Sequence, residues 1–151
     1  MVKEDKFYML EALKEARQAL EEDEVPVGCV VVYNNIIIAR AHNQIERLKD
    51  PTAHAEMIAL TSAANYLGTK WLNGVSLYVT IEPCSMCAGA MVLARIKNLI
   101  IGAKDPKTGA CGSIVNIVNH KKLNHRIKVK KGVLKDDCAV ILKQFFRKKR
   151  K

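Results

Sequence analysis

Val75-Ser76-Leu77-Tyr78-Val79-Thr80-Ile81 leads through Glu82 into Pro83-Cys84-Ser85-Met86-Cys87, and this passage from an apolar run into a helix start decides the fold class. Val75–Ile81 has the length and composition of a buried strand. Pro83 fixes the backbone just ahead of a helix predicted from near Cys84 through Met86, Ala90, Met91 and Leu93 to about Arg95. Asn98–Gly102 then reads as the next strand, so the three segments make a strand-helix-strand crossover, the unit of a parallel sheet. Upstream, a helix is expected over residues 53–67, with Thr52 as N-cap and Gly68 as its stop. Before it, Val27–Tyr33 and Ile36–Ala41 flank Asn34-Asn35, residues that tolerate positive φ and so mark a two-residue hairpin. Residues 6–22 carry Met9, Leu13, Ala16 and Leu20 on one helical stripe. Downstream, Ala103–Ser113 holds Pro106, Gly109 and Gly112 and reads as a loop. Residues 127–131 form a fifth strand, and 135–149 a closing helix with Val140, Ile141, Gln144 and Phe145 near its apolar stripe. The order α-β-β-α-β-α-β-β-α predicts an α/β fold: three α/β/α layers around a five-stranded mixed sheet, in a single domain over 1–151.

The same passage carries chemistry. Cys84 and Cys87 are three apart at a helix start, so their sulfurs face one side, and the positive helix end favours thiolate. His54-Ala55-Glu56 stands at the start of the preceding helix. Two thiolates and an imidazole suit Zn²⁺, and three protein ligands leave a fourth tetrahedral position for water, as in a catalytic site. His42, Cys29, Cys111, Cys138, His120 and His125 are the conceivable fourth ligands of a structural site, but none has a spacing that recommends it. Two thiolates cancel the metal's charge, so bound water is acidified less than by imidazoles alone, and a nearby base is needed. Glu56 is that base. Inside a regular helix His54 and Glu56 would point nearly opposite ways, so the site must straddle the helix's first turn. Alone, His-Ala-Glu is a common tripeptide, and Cys-x-x-Cys could equally be redox-active or hold a structural zinc; in this order, each at a helix start, they make a far more specific pattern.

Composition narrows the setting. The chain has 151 residues, 49% of them hydrophobic, enough for one substantial core. It contains no run of about 20 apolar residues and opens with Lys3, Glu4, Asp5 and Lys6, so neither a membrane span nor a signal peptide is expected. Five cysteines, two of them in one Cys-x-x-Cys pair, fit a reducing, cytoplasmic setting better than a disulfide framework. Residues 1–119 carry 12 Lys/Arg against 13 Asp/Glu, whereas residues 120–151 carry 13 against 2. The net charge of +10 therefore belongs to the C-terminal fifth. A basic run can be a solubilising tail, but here it follows an apolar-periodic segment that docks it, which suits a polyanion such as nucleic acid.

The pairing of His54-x-Glu56 with Pro83-Cys84-x-x-Cys87 resembles the signature of the zinc deaminases that act on nucleobases. Glu24-Val25-Pro26-Val27-Gly28, Asp50–Glu56, Gly102–Gly109 and Phe145–Arg150 make the resemblance more specific: over nearly the whole chain the sequence is similar to the bacterial tRNA-specific adenosine deaminases. The resemblance implies a cytidine-deaminase-like fold, one zinc per subunit, a homodimer, and conversion of the wobble adenosine of an arginine tRNA anticodon to inosine. It further implies that Asn43 touches the flipped nucleotide, that Asp105 and Asn124 contact the anticodon loop, that His120 contributes similarly, and that Phe145–Arg150 holds flanking RNA. The residues themselves leave other roles open. Asn43 could simply cap a turn and Asp105 simply form one. One of Phe145 and Phe146 should be core, and Phe145 is favoured inside, with Phe146 open to stack on a base. Arg147, Lys149 and Arg150 suit phosphate. The rival readings are a free nucleoside, nucleotide or guanine deaminase of the same fold, which has no need of the basic segment, and a structural-zinc RNA-binding module.

Overall fold

The computed structural model describes residues 3–150. Helix α1 (Asp5–Glu21) is followed by β1 (Gly28–Tyr33), β2 (Ile36–His42), a short α2 (Ile45–Leu48), α3 (Ala55–Leu67), β3 (Ser76–Ile81), α4 (Ser85–Ala94), β4 (Asn98–Ala103), β5 (Lys128–Lys131) and α5 (Lys135–Lys149). The five strands form one sheet in the order β2-β1-β3-β4-β5. β1 is antiparallel to β2 and β3, whereas β3, β4 and β5 are parallel, so the expected mixed sheet is present.

Both sheet faces are covered, which explains why the strands read as continuous apolar runs instead of alternating ones. Cys29, Val31, Leu77, Val79, Leu99 and Ile101 pack with α3 and α4. Their neighbours Val30, Val32, Tyr78 and Ile100 pack on the other face with Tyr8, Met9, Ala12, Leu13 and Ala16 of α1 and Cys138 and Ile141 of α5. Gly28 lets α1 lie directly on β1, because a Cβ there would come within 1.9 Å of the Ala12 carbonyl oxygen. Asn34 and Asn35 have φ of 50° and 63°, the left-handed pair that closes a tight hairpin.

Several boundaries differ from expectation. Thr52 is not the N-cap of α3: its backbone N–H and hydroxyl both donate to Asp50 Oδ1, in a turn that delays the helix. His54 takes the N-cap position instead, with extended backbone. On α5 the inward stripe is Cys138, Ile141 and Phe145, while Val140 and Gln144 face outward. The four-residue α2 is too short to show a helical period. It is held by the buried Glu24 carboxylate, which accepts from the Glu46 and Arg47 amides at 3.0 and 2.8 Å. The parallel β4 and β5 are joined by the irregular segment 104–127, and β5 is an edge strand bearing exposed Lys128, Lys130 and Lys131. No helix among the described residues is long and apolar enough to cross a membrane.

Candidate active site

Two helix starts converge at the sheet. His54 is the N-cap of α3 and Cys84 the N-cap of α4, both in extended backbone, so each side chain projects ahead of its helix. Cys87 lies in the first turn of α4 and is fully buried. His54 Nδ1 stands 3.7 Å from Cys84 Sγ and 3.6 Å from Cys87 Sγ. Donors bound tetrahedrally to one zinc at 2.0–2.3 Å are separated by about 3.6 Å, so both His54–sulfur distances match a shared ion, and all three donor atoms lie within 4.8 Å of one another. Among the described residues, this metal-ligating group has three members. His42, a conceivable fourth ligand, is engaged elsewhere, by Glu15 on Nδ1 and Glu22 on Nε2. His125 Nε2 donates to the Ile96 carbonyl, and Cys29, Cys111 and Cys138 are buried free thiols outside the group.

The electrostatics match the geometry. The Cys87 thiol hydrogen-bonds to the Cys84 sulfur and pulls the Cys84 thiol down to about 5, aided against burial by the backbone N–H groups of Cys87 and Met86 and by His54. Cys87 is pushed up by that same bond and by burial. Glu56, only 3% exposed, has its carboxyl pushed up to about 7 by burial, with its own backbone N–H and His54 restraining the rise. A carboxyl that exchanges a proton near neutrality suits acid–base work in both directions.

A cavity of about 450 Å³ opens over this group, lined by His54, Glu56, Cys84, Asn43, Asp105 and Phe146 with Val25, Val27, Ile45, Ile81 and Leu142 among the apolar walls. That is room for a nucleobase and part of its sugar. Asn43 is buried, and its Oδ1 accepts the Ala55 amide at 2.8 Å, satisfying one orphan donor of α3.

The family model for MafB19-like deaminases matches residues 3–150. The chain is 49% identical over 148 residues to the tRNA-specific adenosine deaminase of Bacillus subtilis (strain 168), covering 98% of this chain and 92% of that protein. The chain belongs to the tRNA-specific adenosine deaminase family. A solved structure from work on A-to-I editing by tRNA:A34 deaminases at the wobble position superposes with a TM-score of 0.86 at 44% identity, covering 89% of this chain and 98% of the other. A guanine deaminase from Nitrosomonas europaea, at 23% identity and a TM-score of 0.82 over 96% of this chain and 86% of its own, shares the fold.

In this deaminase the remaining predicted contacts lie outside the cavity lining. His120 and Asn124 are exposed on the segment leading into β5. His120 Nδ1 accepts the Lys122 amide at 3.1 Å. Arg147, Lys149 and Arg150 are exposed at the end of α5, where Lys149 pairs with Asp23 at 2.8 Å. Phe145 is buried and Phe146 is half exposed at the cavity. The carboxylates of Glu24 and Glu82 were not singled out in the sequence. Both are buried acceptors of backbone N–H groups, Glu24 from α2 and Glu82 from the segment after β4, and their only sequence signal is position: Glu24 leads the Val25-Pro26-Val27-Gly28 entry to β1, and Glu82 precedes Pro83-Cys84. Burial alone would raise the Glu82 pKa, but hydrogen bonds from Ser113, Cys111 and Asp105 outweigh it and leave the carboxyl below the usual range.

Proposed function

We propose that this chain hydrolyses the exocyclic amine of adenosine at the wobble position of a tRNA anticodon, giving inosine and ammonia, with an arginine tRNA as substrate. The observation that carries this reading is the placement of the Glu56 carboxyl beside a three-member His54, Cys84, Cys87 group on the wall of one nucleobase-sized cavity. His54, Cys84 and Cys87 would hold a zinc ion, which would supply the Lewis acidity that acidifies water near neutral pH. Glu56 takes the proton from the attacking water, delivers it to the ring nitrogen next to the amine-bearing carbon, and passes the second to the leaving amine. Asn43 presents a polar edge at the wall and Phe146 an aromatic face, the pairing that a base drawn out of its stack requires. Asp105 and Asn124 meet the anticodon loop, and His120, Arg147, Lys149 and Arg150 meet flanking RNA. His120, Asn124, Arg147, Lys149 and Arg150 are exposed outside the cavity, where neighbouring nucleotides would lie, and Asp105 borders it. The protein works as a cytoplasmic homodimer, and the α5 end that carries the cations borders its own subunit's cavity, which Leu142 and Phe146 line.

Incubating tRNA with the zinc-loaded protein and locating inosine by mass spectrometry tests this reading. Wild type is expected to convert the wobble adenosine. Glu56→Ala is expected to keep its zinc and lose turnover by about 100-fold or more. Turnover of free guanine or cytidine with none of RNA would replace the reading with a small-substrate deaminase; zinc retained and no turnover of any base would leave a binding module.

A further inference from the structure

Glu82 is 2% exposed, at the end of β3. Its Oε1 accepts from the Asp105 amide at 3.1 Å and from the Ser113 hydroxyl; its Oε2 accepts from the Cys111 and Ser113 amides at 2.9 and 3.1 Å. All four donors belong to the segment that leaves β4. Gly109 completes the fit, because a Cβ there would come within 2.4 Å of the Glu82 carboxyl. The next residue continues the seam: Pro83 O accepts from the Ala110 amide at 2.8 Å. On its outer side the segment folds itself, with Asp105 Oδ1 accepting from the Lys107 and Thr108 amides at 3.0 and 3.2 Å and Oδ2 from the Thr108 hydroxyl at 2.7 Å. Asp105, Pro106, Lys107 and Thr108 border the cavity.

Among the described residues no lysine, arginine or histidine pairs with Glu82. A buried carboxylate without a cation is costly to hold, and a chain reversal needs none. What this arrangement achieves is a fixed placement of the 105–108 turn relative to Cys84, two residues further along the chain. We infer that Glu82 is a positioning residue that fastens the Asp105–Thr108 turn at the rim of the cavity and so governs how firmly the substrate is held. The substrate named here rests on the deaminase reading; the fastening does not.

The test compares zinc-loaded wild type, Glu82→Gln and Ser113→Ala on an anticodon stem-loop RNA. Glutamine turns an NH₂ toward N–H donors, whereas Ser113→Ala removes only the hydroxyl bond and is the milder variant should Glu82→Gln not fold. The expected result is unchanged zinc content, kcat within about threefold of wild type, and KM raised about tenfold in Glu82→Gln and about threefold in Ser113→Ala. A purely structural Glu82 would lower kcat in proportion to the folded fraction and leave KM alone; that result, or an unmoved KM in the folded variants, overturns the inference. Amide hydrogen exchange supplies a readout without RNA: Cys111 and Ser113 should exchange slowly in wild type and faster in Ser113→Ala. Fast exchange in wild type also overturns it. A wild type inactive on RNA but slow to exchange at these amides would defeat the deaminase reading and leave the fastening intact.

Discussion

Asp5 begins α1 and reaches two other elements: its Oδ1 accepts from the Tyr78 hydroxyl of β3 at 2.7 Å, and its Oδ2 from Lys130 of β5 at 2.6 Å. Burial works against the ionised carboxyl, but the bonds from Lys130 and Tyr78 outweigh it and hold the group below the ordinary aspartate value. A pKa depressed by folding contributes stability above the unfolded value of about 3.9 and loses it as pH falls through the folded value. Asp5→Asn should therefore be less stable than wild type at neutral pH, with the gap closing below about pH 4. Urea denaturation at a series of pH values checks this, and a gap that is constant down to pH 2 would mean that the charge contributes nothing. The residues of the metal group were legible because chemistry limits which side chains can bind a metal, and their spacing at two helix starts does the rest. Glu24 and Glu82 were not, because a carboxylate is expected to face water and only the packing of distant loops shows that these two do not.

Helix α5 joins the core to the basic end of the chain. Cys138 and Ile141 fasten it to the sheet, Phe145 is buried on the same stripe, Leu142 and Phe146 face the cavity, and the last two turns present Arg147, Lys148, Lys149 and Arg150. If those cations meet phosphates, removing Lys148–Lys151 should weaken RNA binding and flatten the dependence of log Kd on log salt by about 0.7–0.9 per lost phosphate contact. An unchanged slope would return the segment to a solubilising role. The strands were the easiest elements to read, since burial on both faces demands β-branched runs such as Val30–Val32. Helix α3 was read two residues early because Thr52 has the chemistry of a cap; Asp50 competes for its hydroxyl, and Asn43, just past the end of β2, satisfies the Ala55 amide. No local pattern encodes that exchange.

At the scale of the molecule, the three donors come from two helix starts, α3 and α4, that are separated in sequence by β3. A metal gripping both ties together segments that an unfolded chain cannot hold in register, so it stabilises the native state by linkage. Stripping the protein with a chelator should lower Tm by several degrees, and restoring zinc should recover it. A Tm indifferent to both treatments would mean that no metal is bound.

The exposed lysines of β5 have a consequence for solubility. A strand at the margin of a sheet offers unsatisfied main-chain groups to any passing chain, and repeated cationic side chains repel a like strand before it can dock. Replacing Lys128 and Lys131 with threonine should leave the protein folded, since the Lys130–Asp5 pair is kept, but promote edge-to-edge accretion, seen as rising light scattering and thioflavin fluorescence at concentrations where wild type stays clear. Equal clarity would show that the brevity of the strand is protection enough.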